Sequence, residues 1–203
     1  MSNSNNPLDP YQPPQAEIAP PPSSPAPLFY LVSPAKFSLL FWSTMGIYDV
    51  YWQYKNWALY REARGGGGLP VLRAVFSIFF APSLFHRIDR EARAAGVPGG
   101  FQPSLLAVVY VLCTLFSSVG SNLMDQPGLP GLLLWLGSLV MLLPIWWALG
   151  RCQQRVNATL GDQDGVANSR ITWANGIWIG LGGLLWLSTL WSLATWARVL
   201  FMQ

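Results

Sequence analysis

The hydrophobic positions of this chain gather in long uncharged runs, without the short polar alternation of soluble helices and strands. Three runs reach the roughly 20 residues a helix needs to cross a hydrocarbon core about 30 Å thick. They cover 104–123, 129–149 and 172–197. Two further runs, Phe37 to Tyr48 and Ala74 to Phe85, are charge-free for only twelve residues each. The first reaches eighteen by extending to Tyr54, at the cost of including Asp49. The pattern predicts an all-α, polytopic helical membrane protein. It has three or four spanning helices plus one or two short re-entrant or interfacial helices.

Local signals set the boundaries. Ser33 offers a capping hydroxyl and Pro34 suits the first helical position. The helix they open loosens at Gly46, continues through KNWALYREAR and stops at Gly65 to Gly68, giving a kinked first helix over 33–64. Leu69-Pro70 opens a re-entrant or interfacial helix over 69–96, with Pro82 as its kink. Arg87 with Glu91, and Asp89 with Arg93, are opposite charges at i,i+4. Pro144 predicts a kink in the second span. Residues 1–32, rich in Pro, Ser, Asn and Gln, read as a disordered tail before a membrane domain over 33–203. Its proline pairs suit a tether, or an SH3-like partner. If Phe37 to Tyr54 spans, the tail lies outside and there are four spans. If the chain folds back at Gly46, the tail lies inside and there are three.

Composition strengthens the membrane reading. Of 203 residues, 52% are hydrophobic and 10% charged, against about 25% charged in soluble domains. Eleven tryptophans suit bilayer interfaces. Seven of the twelve basic residues lie between Lys55 and Arg93, and the 151–170 loop adds three arginines. The positive-inside rule puts both regions in the cytoplasm, and Asn122 to Gly128 and Arg198 to Gln203 outside. These charges flank apolar segments and form no separate basic domain, which excludes nucleic acid as a partner. The N-terminus has neither a basic nor an apolar signal region, so the spans themselves direct insertion. Cys113 lies within an apolar run and Cys152 just after one, so both read as free thiols.

The search for chemistry finds no catalytic set, no metal site and no cofactor motif. His86, beside Arg87, suits a solvated or headgroup-facing side chain better than a ligand. Asp162-Gln-Asp164-Gly165 begins like a calcium loop, but lacks the later acidic ligand and suits a turn. Asn157-Ala-Thr159 fits a glycosylation acceptor, on a loop expected in the cytoplasm. Asp49 stands out, because an acid beside a membrane segment is costly and calls for a partner. Lys55, Arg73 and Arg87 are the candidates. With its aromatic and basic neighbours it defines a candidate functional cluster of Asp49, Tyr51, Trp52, Lys55, Asn56 and Arg73. On the last span Gly176, Gly180, Ser188 and Ser192 form a small-residue ridge for helix packing, within the protomer or between copies.

The run STMGIYDVYWQYKNW at 43–57 resembles the signature of a family of small bacterial membrane proteins that carry a domain of unknown function. Thr44, Gly46, Tyr48, Tyr51, Trp52, Tyr54, Lys55, Asn56 and Trp57 match its T-x-G-x-Y-x-x-Y-W-x-Y-K-N-W pattern. The proline-containing segment LRAVFSIFFAPSLFHRI at 72–88 also resembles the family, whose usual linker is not glycine-rich. The resemblance covers about residues 33–93 and implies the bacterial cytoplasmic (inner) membrane. From the residues, the leading expectation is a non-enzymatic scaffold or accessory subunit. Its partners are the bilayer and a membrane protein or second copy. The alternatives are a transporter or channel component with Asp49 in its path, and an enzyme that binds lipid headgroups through Lys55, Arg61, Arg73 and Arg87.

Overall fold

A computed structural model of the chain describes residues 27–122 and 129–201. Among the described residues the regular structure is helical throughout, as expected of an all-α protein. Three helical stretches are long and apolar enough to cross a membrane: Pro103–Gly120, Leu129–Thr159 and Trp173–Trp196.

The first element is not a tail. Residues 1–26 lie outside the described residues, but the tail expected over 1–32 ends earlier than its composition suggested. Phe29 and Val32 are fully buried. Residues 30–33 are extended, and side-chain amides bind their backbone. Tyr30 N donates to Asn56 Oδ1 at 3.1 Å and Gln153 Nε2 donates to Tyr30 O at 3.0 Å. Asn168 Nδ2 reaches Leu31 O and Asn157 Nδ2 reaches Val32 O. Ser33 N donates to Asn168 O. An extended segment has no ladder to satisfy these groups, so buried amides take its place.

Helix α1 (Pro34–Ser43) starts as expected, with the Ser33 hydroxyl accepting from Lys36 N. The expected kinked helix over 33–64 is instead broken. Met45 and Gly46 take φ of 51° and 87°, and α2 (Tyr48–Arg64) begins afresh. Left-handed backbone cannot continue a right-handed helix. The break turns the chain back on itself. At the start of α1, Lys36 Nζ donates to Asn168 Oδ1 and to Arg170 O, both at 2.7 Å. Later in α2, Trp52 Nε1 donates to Gln153 Oε1 and Asn56 meets Tyr30. Both arms therefore end beside the 151–170 region. The turn between them lies near Leu142, Gly182, Trp186 and Thr189. Fold-back at Gly46 is the alternative the chain adopts.

A second hairpin follows. The helix expected over 69–96 is split into α3 (Pro70–Val75) and α4 (Ser77–Ala94). The break falls at Phe76, not at the expected kink. Pro82 is accommodated inside α4, at the cost of the backbone donor for the Ile78 carbonyl. Helix α5 (Pro103–Asn122) runs antiparallel to α4: Ser77 meets Tyr110, and His86 meets Ser104.

The second expected span is longer than its apolar run. Helix α6 (Leu129–Val140) is continued by α7 (Leu142–Thr159), with an irregularity at Met141. There Pro144 has no N–H for the Val140 carbonyl. The polar end of α7 carries Cys152, Gln153, Arg155 and Asn157 into the core. Helix α8 (Trp173–Phe201) leans on α1. The core, with Phe37, Phe41, Trp52, Trp57, Phe85 and Tyr110 fully buried, lies where the hairpins meet α5 and α7.

Candidate functional site

The six clustered residues of the YDVYWQYKNW run and α3 do not converge. One turn of helix separates Asp49 from Trp52 and Gln53, and all three are buried. Tyr51 is exposed and meets the Tyr30 ring edge-on at 5.8 Å. Lys55 Nζ lies 5.9 Å from the Tyr30 ring. Trp52 and Asn56 belong to the amide network that holds 30–33. The Arg73 guanidinium lies 4.4 Å from the Trp57 ring, and its Nη2 donates to Gly67 O. The cluster therefore divides into three places around α2.

Asp49 is bound by none of the three expected cations. Tyr110 Oη donates to Asp49 Oδ2 at 2.5 Å, and Tyr110 and Ser77 share a hydrogen bond of 2.8 Å. Ser77 opens α4 directly after the Phe76 break, and Asp49 lies three residues after Gly46. The residues that follow the two helix breaks and Tyr110, the eighth residue of α5, thus meet at one polar point. Asp49 Oδ1 and both amide atoms of Gln53 are buried there without hydrogen-bond partners. Burial pushes the Asp49 carboxyl up to about 6, against smaller downward pulls from the Tyr110 hydroxyl and the Gln53 amide. Sequence reading missed Tyr110, Ser77 and Gln53. The available signal was that Tyr110 is the one tyrosine in the apolar run 104–123.

The other cations are spent on rings and acids. Arg87 lies 5.6 Å from the Trp57 ring and 5.1 Å from the Tyr60 ring. It does not form the pair with Glu91 that the i,i+4 spacing predicted. Glu91 binds Arg64 at 2.5 Å and Arg90 at 3.8 Å. Asp89 does pair with Arg93, at 2.7 Å, and it also binds the buried Arg155 of α7 at 3.1 Å. Arg155 Nη1 reaches Pro98 O as well. His86 is exposed, with its ring nitrogens at Pro82 O and Ser104 Oγ. The 162–165 segment is a turn whose Asp162 carboxylate accepts from Val166 N and Ala167 N. Those donors hold its carboxyl below the usual range.

The small-residue ridge is displaced. Open space surrounds Gly176 and Gly180, and Ser188 is exposed. Ser192 is half-buried and turned to its own helix, donating to Ser188 O. The close approach occurs at Gly182, where a Cβ would collide with the Ser43 carbonyl of α1. Trp186 Nε1 donates to Trp42 O at 2.8 Å beside it. Beyond this strip, α8 borders a groove of about 360 Å³, lined by α2, α3 and Trp178. No protein-family model, curated protein or solved structure matches the chain.

Proposed function

We propose that this is a multi-pass protein of the bacterial cytoplasmic membrane that acts without catalysis, as a scaffold or accessory subunit. Its working surface is α8 and the groove beside it. The observation that carries this reading is the isolation of α8. Over its spanning stretch 6% is buried, against 22% and 33% in the other two. A helix that only anchors needs no such separation from its own bundle. Trp173, Leu184 and Trp191 are 81%, 63% and 73% exposed, respectively; spaced by 11 and 7 residues, they line one face of α8, open to the bilayer or to a second helix. The groove adds a concave apolar flank from Ile47, Tyr51, Tyr54, Val71 and Val75. Without a hydrophobic driving force in lipid, shape and close packing select partners, and a lone helix beside a groove offers both.

The two rival readings draw less support. A transport path would have to reach Asp49, and the groove lining includes Tyr48 and Val50 but not Asp49. A headgroup enzyme needs its cations around one pocket. Here Arg73 and Arg87 flank Trp57, Lys55 faces Tyr30, and Arg61 turns to Gly68 O.

A photo-crosslinking residue at Leu184 or Trp191, activated in living cells, tests the proposal. A stoichiometric adduct with another membrane protein or a second copy is expected, and Leu112 on α5 gives none. Lipid adducts alone, with a monodisperse monomer in mild detergent, would overturn it.

A further inference from the structure

The junction of the two hairpins holds an acid with no counter-charge. Asp49 is buried and its Oδ1 has no partner. The groups facing it come from four helices. They are Gln53 on α2, Ser77 on α4, Tyr110 on α5 and the buried Cys152 thiol on α7. None is a cation. Lys55, Arg73 and Arg87, the nearest basic residues in sequence and in the second hairpin, are held against Tyr30, Trp57 and Tyr60. An isolated carboxylate in an apolar interior is too costly to persist, and such groups take up a proton or a cation. Two features favour the proton. A proton needs no cavity, and the groove nearby does not open onto Asp49. The side chains facing Asp49 include no second carboxylate, and no group of metal-ligating residues is found among the described residues, whereas a hard cation takes several oxygen ligands.

We infer that Asp49 is a reversible proton-binding site, with the proton on the unpartnered Oδ1 and Tyr110 donating to Oδ2. Binding converts the carboxylate to a carboxylic acid. The proton comes from bulk water or buffer, and no other bond breaks. The upward displacement of the Asp49 carboxyl by burial agrees with this. The site goes beyond the scaffold reading and does not depend on it.

Infrared spectroscopy of the full chain in nanodiscs tests the assignment. A protonated-carboxyl stretching band is expected to remain above about pH 5, where ordinary carboxyls are ionised, to fade as pH rises further, and to be missing from that range in Asp49→Asn. Tyr110→Phe removes a donor to the carboxylate, so the band persists to higher pH. That variant also carries the test if Asp49→Asn does not fold. A folded-state value above the unfolded one means stability falls as pH rises from about 4 through about 6. The melting midpoint of wild type relative to Asp49→Asn therefore falls across that range. An absent band, or one that survives Asp49→Asn, overturns the site. So does a midpoint that answers to sodium against choline and not to pH, which would assign a cation.

Discussion

A single glycine decides how α8 joins the molecule. Gly176 and Gly180 match the small-residue pattern of packed membrane helices, yet Gly182, outside that pattern, makes the contact. The choice follows from the partner. At the end of α1 the Ser43 carbonyl lies past the last helical donor, and the Trp42 carbonyl is held from the turn by Met45 N at 3.3 Å with room for a second donor. The surface that receives them must admit backbone and supply an N–H. Gly182 provides the first and Trp186, four residues on, the second. Gly182→Ala places a methyl against main chain that cannot rotate away. Overpacking of this kind costs about 1–3 kcal/mol. The expected outcome is a lower melting midpoint and faster proteolysis between Asn168 and Thr172. Gly180→Ala, facing open space, leaves both unchanged. An unaltered Gly182→Ala midpoint would mean that α8 does not rest on α1 as described.

Long periodic runs were legible in the sequence, and breaks within short ones were less so. The spans at 104–123, 129–149 and 172–197 could be read because apolar length alone specifies them. Gly46 was visible as a weak point, and its φ of 87° with Met45 at 51° makes it a full reversal. The Phe76 break had no signal, since Pro82 drew attention six residues away and is absorbed by its helix. Residues 28–33 misled for a physical reason. Pro-rich composition predicts disorder when nothing else binds the backbone. Here Asn56, Gln153, Asn157 and Asn168, far apart in sequence, bind it. Asn157→Ala leaves the Val32 carbonyl buried without its donor, a cost of about 1–3 kcal/mol. Cleavage at Phe29 or Tyr30 by chymotrypsin is expected to accelerate accordingly. Equal cleavage in wild type and variant would separate this network from the docking of the segment.

The two hairpins explain the charge distribution of the whole molecule. The first begins and ends beside the 151–170 region, through Lys36 and Trp52, and the second ends there, through Asp89 and Arg155. Of the twelve basic residues, Arg198 alone lies at the far end, and the other eleven share the near one. Had either short run crossed, part of the 55–93 cluster would face the opposite side. Reversal at Gly46 and Phe76 thus lets apolar chain enter the bilayer without carrying its flanking cations across. Irregular backbone at membrane depth is tolerated only when buried in protein. The first turn rests on α8 and Leu142, and Ser77 directly after the second is buried at Tyr110, while the side chains at the two tips, Ile47 and Phe76, are exposed. The positive-inside rule then predicts the side on which these ends lie. In a background with Cys113 and Cys152 replaced, single cysteines at Pro27, Gly99 and Ser169 are expected to resist a membrane-impermeant thiol reagent in intact cells, and to react after lysis. A cysteine at Leu129 reacts in intact cells. Labelling at Pro27 without lysis would require the first hairpin to cross, and would place Asp49 in a fourth span.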